Sequence, residues 1–381
     1  MDYTRIQREA IDGAAEIVRR ELAPIASEID RNEEFPLEAV RALGRAGLLG
    51  VPYPGEFGGA GLDYVTYSGV IREIARVCAS TAMTVVAHST LTGYPIYRFG
   101  TPEQKERFLI PLASGTVLGA YASTEPGAGS DLAGIQTTAV ERGDHFVLNG
   151  SKVFITNANY ADLFIVAATT AAGQGALGLS VFIVEKETPG FRTSGKHERK
   201  LGMRASDTGE LIFEDALVPR GNLIGKKNFG LKILHDTLVT ARIGMASIAL
   251  GIGEIALDHC LDYVKERKQF GEVLAKFQTI RNMLADMELG ISAARLLVHN
   301  AASLKDHSSN VTKAASEAKL FASEMATKVT KDAIQIFGGY GYMCDYPLER
   351  YFRDAKLTEI GDGTSEMQRL IIADELLKRH V

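Results

Sequence analysis

A three-part α+β fold is what the residue pattern of this chain predicts: helices first, a small β unit in the middle, a helical bundle last. Three observations carry it. Apolar residues recur at helical spacing through the first third. In the middle, short apolar runs bounded by turn residues replace that spacing. In the last third, three periodic stretches each exceed 20 residues. The blocks expected from these changes are residues 1–120, 121–225 and 226–381.

In the first block, Ile6, Ala10, Ala14, Ile17, Val18 and Leu22 sit one helical turn apart between charged residues, predicting a helix over Arg5–Asp30. Pro36 is placed to open the next helix, Leu37–Ala46. Gly47, Pro52, Pro54, Gly55, Gly58 and Gly59 punctuate a long loop, and helical spacing resumes from Tyr67. In the middle block, His145–Thr156 reads as two strands around Asn149-Gly150, a hairpin signal. Leu163–Ala168, Leu179–Val184 and Gly209–Phe213 read as further strands of a small barrel or sandwich. In the last block, Leu238–Lys265, Phe277–Ala302 and Val311–Phe337 are long amphipathic helices whose apolar faces need partners, in a bundle and in an oligomer. Gly251 and Gly253 fit a loose dinucleotide pattern, but no strand precedes them, so they are read as sites of close helix packing.

Composition bounds the function. With 381 residues, 46% hydrophobic and 23% charged, the chain is long enough for two or three domains with a large core. A net charge of −5 supplies no field for nucleic acid. No apolar run suggests a membrane span, and the first residues lack the apolar core of a signal peptide, so a cytoplasmic location is expected. Cys78, Cys260 and Cys344 are scattered, which argues against a disulfide framework, and no Cys/His spacing suits a metal.

Five segments bear on chemistry. YASTEPGAGSD (121–131) puts hydroxyls among glycines that let backbone N–H groups approach a ligand. NGSKVFITN (149–157) offers an aromatic ring at Phe154. ERKQFG (266–271) with KFQ (276–278) carries a guanidinium suited to forked contact with phosphate oxygens. QIFGGYG (335–341) combines small residues and free amides. TEIGDGTSEMQRL (358–370) centres on Asp362. Taken singly, four of them have an ordinary reading: a glycine-rich turn, a core Phe, a solvated helix face, an Asp-Gly turn.

Together these segments resemble those of the flavin-dependent acyl-CoA dehydrogenases, and the resemblance covers essentially the whole chain, closest to the short-chain and branched-chain branch. It implies an N-terminal helical domain, a central β-barrel or sandwich and a C-terminal four-helix bundle. It implies FAD, held by Tyr121, Ser123, Thr124, Gly129, Ser130, Phe154, Ile155, Thr156, Thr364 and Glu366, with Arg267, Gln269, Phe270, Gln278, Gln335, Ile336, Gly338 and Gly339 reaching a neighbouring subunit's flavin. Phe154 stands where relatives carry tryptophan. Ser130, Val239, Arg242 and Gly363 would contact the acyl-CoA, Val239 standing where relatives often carry aspartate. An electron-transfer flavoprotein as electron acceptor and a homotetramer follow from the same resemblance.

The reaction implied is α,β-dehydrogenation of an acyl-CoA thioester, in which a carboxylate takes the α-proton and the β-hydrogen leaves as hydride to the flavin. Most of the family uses glutamate; here the position is Asp362. Its reach is shorter by ~1.5 Å, and a misplacement of about 1 Å can cost on the order of 10²-fold in rate. The alternative base position used by branched-chain relatives is Ala241 here, so it offers no substitute. The shorter base suggests a substrate whose α-carbon comes closer, such as a branched or alicyclic acyl group like cyclohexanecarboxyl-CoA, and the small residues Ala87, Ser89, Thr90, Thr92 and Gly93 would leave room for it. Other readings are a dehydrogenase of linear short chains, a nitroalkane-oxidase-like flavoenzyme with an aspartate base, and a flavin-binding scaffold without turnover.

Overall fold

The computed structural model describes residues 3–308 and 310–378; Met1 and Asp2, part of the segment compared above with a signal peptide, lie outside them. The first block is helical: α1 (Arg5–Glu21), α2 (Ala26–Asn32), α3 (Leu37–Arg45), α4 (Tyr64–Val77), α5 (Ala79–Val86), α6 (Tyr94–Phe99) and the short α7 (Pro102–Gln104) and α8 (Ile110–Ala113). The single helix expected over Arg5–Asp30 is two, parted around Pro24, which cannot donate to the helical ladder. Thr4 begins α1 with a reciprocal capping box to Gln7. Between α5 and α6 the chain widens into a π-helical turn, Ala87–Gly93, every residue of which is buried. Such turns concentrate at functional sites.

Eight strands form one sheet: β1 (Gly119–Ala122), β2 (Thr138–Arg142), β3 (His145–Thr156), β4 (Leu163–Thr169), β5 (Leu179–Glu185), β6 (Phe191–Thr193), β7 (Thr208–Pro219) and β8 (Leu223–Ile224). Their order is β6-β7-β3-β2-β4-β5-β8, with β1 paired in parallel to β4. The expected hairpin at Asn149-Gly150 does not form: β3 runs straight through, with a bulge between Leu148 and Gly150. A two-residue hairpin of the favoured kind needs both residues in the left-handed region. Gly150 instead sits at φ 144, its α-carbon pressed so close to Thr137 that a Cβ would come within 2.6 Å. The tight turn lies at Gly143-Asp144, where Arg142 pairs with His145.

The last block holds α9 (Gly230–Glu266), the two-stranded ribbon β9 (Lys268–Gln269) and β10 (Glu272–Val273), α10 (Gln278–His307), α11 (Thr312–Phe337), α12 (Gly339–Tyr342), α13 (Leu348–Ile360) and α14 (Ser365–Leu377). Helix α9 is long and apolar enough to cross a membrane, yet 89% of its most apolar window is buried inside the protein. It is the central rod on which α4, α5, α10 and α11 pack. Gly251 and Gly253 bring it close to its neighbours: a Cβ on Gly251 would meet the Arg72 carbonyl at 2.5 Å, and one on Gly253 the Met325 sulfur at 2.9 Å. One continuous core joins these helices to the N-terminal ones, while the two faces of the sheet have their own clusters.

Candidate active site

The segment Gly361–Thr364 turns between α13 and α14. Asp362 and Gly363 both have positive φ, 53° and 94°. The first is strained for a residue with a Cβ, a condition that persists only where surroundings enforce it. They do so through the Gly363 carbonyl, which accepts from Lys319 Nζ at 2.7 Å and Gln368 Nε2 at 2.8 Å. A side chain on Gly363 would strike Gln368 Nε2 at 2.6 Å. Thr364 closes the turn by capping α14, its hydroxyl accepting from Met367 N at 3.3 Å. Glu366 lies exposed in the first turn of α14, where a negative charge suits the helix N-terminus.

The Asp362 carboxylate points inward. Its Oδ2 is enclosed and has no hydrogen-bond partner. Loss of hydration pushes this carboxyl up to about 6, against the opposing pull of Lys319 and Arg242. Those two cations are also desolvated. Burial brings Lys319 down to about 8 and Arg242 down to about 10, each partly restored by Asp362. Arg242, inside α9, keeps Nε and Nη1 without partners. Two phenols complete the ring: Tyr67 from α4 and Tyr121 from β1. Both hydroxyls are enclosed and unpaired, and both are raised by burial and by the charge of Asp362. Gly244 makes space for Tyr67, since a Cβ there would lie 3.3 Å from the Tyr67 hydroxyl. The result is one carboxylate, two cations and two phenols in a largely dry pocket with hydrogen-bonding capacity to spare. That arrangement suits proton abstraction from a polarised carbon acid.

The small residues of the π-helical turn do not leave the expected room. Gly93 is filled by Tyr53, whose hydroxyl would lie 2.6 Å from a Cβ there, and Thr92 packs on Gly119. The hydroxyls of Ser89, Thr90 and Thr92 donate to the carbonyls of Leu49, Val86 and Ala87. His88 in the same turn bridges the Leu112 carbonyl and the Gly119 N–H, both at 3.0 Å, and burial lowers it to about 4, so it is a neutral strut. Val239 lies in the main core and offers only packing.

The β-sheet side presents a second group. Ser123, Thr124, Gly129 and Ser130 lie on the loop after β1, which a buried pair pins in place: Lys152 Nζ reaches Glu125 Oε1 at 2.7 Å and the Ser123 carbonyl at 3.1 Å. Glu125 also accepts from Gln136 N and Thr137 N. Ser130 and Gly129 are exposed, and Gly129 has open space where a Cβ would stand. At the bulge in β3, Phe154 takes φ 60° and turns outward, 69% exposed. Thr156 is half-buried. Ile155 points the other way, into the β core, so only its backbone faces the ligand side.

A third group meets at the bundle corner. Arg267, Gln269, Ile336, Gly338 and Gly339 line one cleft of about 530 Å³. The Arg267 guanidinium lies 5.3 Å over the Tyr340 ring and has no carboxylate partner among the described residues. Gly338 adopts φ 62°, ψ −133°, a conformation open essentially to glycine, and both glycines face open space. Phe270 forms the tip of the β9–β10 turn, 95% exposed, and Gln278 is exposed at the start of α10. Gln335 opens instead on a separate cleft with Tyr342 and Phe352. An unpaired guanidinium beside glycine backbone with room for close approach, and protruding aromatics, suits a flavin dinucleotide, so the residues present fit that group. None of the β-sheet residues lines this cleft.

Sequence reasoning missed Lys319, Gln368, Tyr67 and the Glu125–Lys152 pair. The signal for Lys319 was a charge inside an apolar stripe, among Ala315, Ala318 and Ala322. Tyr67 carried none.

Three family models cover the chain in sequence: acyl-CoA dehydrogenase N-terminal domain over 4–116, middle domain over 120–216 and C-terminal domain over 228–377. The chain is 48% identical over 380 residues to the short-chain specific acyl-CoA dehydrogenase of Clostridium acetobutylicum, covering 99% of this chain and 100% of that one. Among solved structures it is similar to butyryl-CoA dehydrogenase from Megasphaera elsdenii, with a TM-score of 0.97, 43% identity and 99% coverage of both chains. It is equally similar, at a TM-score of 0.97, 47% identity and 99% coverage of both, to a chain of a structure described as the electron transferring flavoprotein of Acidaminococcus fermentans.

Proposed function

Since this chain belongs to the acyl-CoA dehydrogenase family, and its cofactor is FAD, we propose that it dehydrogenates a short acyl-CoA thioester with Asp362 as the base. The observation that carries the assignment is the enclosed, partnerless Oδ2 of Asp362. When bound, FAD supplies the acceptor for the hydride that leaves the β-carbon. Asp362 Oδ2 takes the α-proton as the α C–H bond breaks, and the released pair becomes the α,β double bond. A carboxyl near 6 is mostly ionised at neutral pH yet more basic than an ordinary aspartate, which suits the task. The Asp362 N–H makes no hydrogen bond among the described residues, leaving a donor for the thioester oxygen.

Ser123, Thr124, Phe154, Thr156 and Tyr121 would hold the flavin ring, while Arg267, Phe270, Gln278, Gly338 and Gly339 would hold the dinucleotide of a neighbouring copy. Arg242, Ser130 and Gly363 would contact the acyl-CoA. Leu289 and Leu296, exposed seven residues apart on one face of α10, suit burial against another copy, and we take the assembly to be a homotetramer. We take the electron acceptor to be an electron-transfer flavoprotein and the location to be cytoplasmic.

The short reach of Asp362 favours an acyl group whose α-carbon is brought close, such as cyclohexanecarboxyl-CoA. The test is anaerobic mixing of the FAD-loaded protein with cyclohexanecarboxyl-CoA, isovaleryl-CoA and butyryl-CoA, following loss of the oxidised flavin band. Fastest bleaching with the ring substrate is the expected result. Butyryl-CoA far ahead of it would discard the alicyclic preference and keep the short-chain reading. No bleaching with any of them would overturn both.

A further inference from the structure

We propose that Lys319 is the positioning residue for Asp362: from inside α11 it holds the turn that carries the carboxylate and sets a positive charge beside it at neutral pH. The proposal rests on the reading of Asp362 as the base.

Lys319 is fully enclosed, on a helix face of small buried residues, Ala315, Ser316, Ala322 and Ser323. An ammonium so placed loses its hydration, several kcal/mol for an ion without compensation. The only hydrogen bond it makes among the described residues is to the Gly363 carbonyl, at 2.7 Å. Its largest compensating charge is Asp362. A buried lysine spent on one backbone carbonyl and one carboxylate is poor economy for packing, where methionine would serve, but it meets two needs of a base on a strained turn.

The first need is geometric. Gly363 O is claimed by Lys319 and by Gln368, so both lone pairs are occupied and the peptide plane after Gly363 is fixed. That plane joins the left-handed pair Asp362-Gly363 to the Thr364 cap of α14 and so sets where the carboxylate points. The second need is electrostatic. The groups facing Asp362 are Lys319 from α11, Arg242 from α9 and the phenols Tyr67 from α4 and Tyr121 from β1, with Glu359 of α13 and Glu366 of α14 acting on Lys319 from outside. Arg242 supplies charge but makes no hydrogen bond to the turn; Lys319 does both.

Substitutions separate the two roles. Lys319→Gln removes the charge and keeps an amide donor for the carbonyl. Lys319→Met removes both. With the FAD-loaded proteins and the substrate that bleaches the parent best, the rate is followed from pH 5 to 9, with Asp362→Asn in parallel and flavin content and melting temperature recorded for each. Loss of a facing cation raises the pKa of the base, so the rising limb of the profile moves to higher pH, by about one unit in both variants. The limiting rate at high pH falls further in Lys319→Met, by about tenfold beyond Lys319→Gln, because the turn is also released. An independent readout is melting: the pH at which the stability gap between Asp362→Asn and its parent stops growing should move up by the same amount in a Lys319→Gln background.

A rising limb unmoved in Lys319→Gln would overturn the electrostatic half. Equal limiting rates in the two variants would overturn the geometric half. Loss of FAD from both would make Lys319 structural only and overturn the proposal. Undiminished bleaching by Asp362→Asn would instead remove Asp362 as the base, whatever Lys319 does.

Discussion

The pocket around Asp362 and the corner cleft around Arg267 are built on opposite principles. At Asp362 the charges are enclosed, polar atoms outnumber their partners, and the backbone is held by side chains reaching in from α11 and α14. At the corner the charge is accessible, the glycines face open space, and aromatic rings stand out in water. The first tunes a carboxyl by drying it; the second leaves a guanidinium and glycine backbone open to approach. Desolvation shifts a pKa, and access admits a large cofactor.

The comparison is broken most directly at the base. Asp362→Ala should lower the rate of flavin bleaching by substrate on the order of 10²–10⁴-fold, the usual worth of a positioned general base, while the FAD content of the purified protein stays near that of the parent. Stopped-flow absorbance and flavin quantitation check this. A loss of FAD equal to the loss of rate would merge the two regions into one.

Drying the base has a stability consequence of the opposite sign to most carboxylate effects. The folded-state pKa of Asp362 is raised from the ordinary 3.8 to about 6. The contribution to stability is therefore present below the unfolded value and is lost as pH rises through about 6. Asp362→Asn, which cannot ionise, should be more stable than the parent at pH 7.5 by up to about 3 kcal/mol, and no more stable at pH 3.5. Urea melts of the FAD-loaded proteins at the two pH values decide it. A constant gap would mean that the carboxylate is not strained by burial.

How much of this contrast was legible in the chain itself differs between the regions. That the corner segments come together was readable because their parts are local: Arg267 to Phe270 and Gln335 to Gly339 are short segments, though Phe270 stands out at a turn tip and Gln335 opens on another cleft. Asp362 was readable from the Asp-Gly-Thr turn, but what governs it was not. Lys319 is 43 positions upstream (362 − 319) and Tyr67 lies in a different block, joined to Asp362 only when α4, α9 and α11 pack. The misread hairpin at Asn149-Gly150 failed for a related reason. A dipeptide signals turn propensity, but the bulge at Gly150 is dictated by the approach of Thr137, just before β2, which no local pattern records. Likewise the apparent room around Gly93 was judged from residue size alone, and Tyr53 fills it.

A smaller effect is expected at the guanidinium of the corner. Arg267→Met keeps an unbranched apolar stem and removes the charge that lies over the Tyr340 ring. Hydrogen bonds to charged groups are worth about 1.5–3 kcal/mol, so FAD affinity should fall roughly 10- to 100-fold, read by equilibrium dialysis of the flavin. The pH midpoint of bleaching, measured with FAD in excess, should not move. A shifted midpoint would show that the corner and the base pocket communicate electrostatically.

The mildest perturbation is the most discriminating about architecture. Phe270 is 95% exposed, and among the described residues the one aromatic ring beside it is Phe277, edge-on at 6.3 Å between centroids. A surface side chain with so little to lose on truncation changes folding stability by about 0.5 kcal/mol or less. Yet an apolar ring held at the tip of a Phe-Gly turn, with both residues in the left-handed region, is maintained against its own backbone preference. If the ring serves a neighbouring copy and its flavin, Phe270→Ala should leave the protein's urea midpoint at low concentration unchanged while raising the FAD off-rate severalfold and loosening the assembly seen by sedimentation. A drop in intrinsic stability with unchanged flavin retention would assign the ring to its own chain, and the corner would then lose its claim to be built for a ligand held in common with a second subunit.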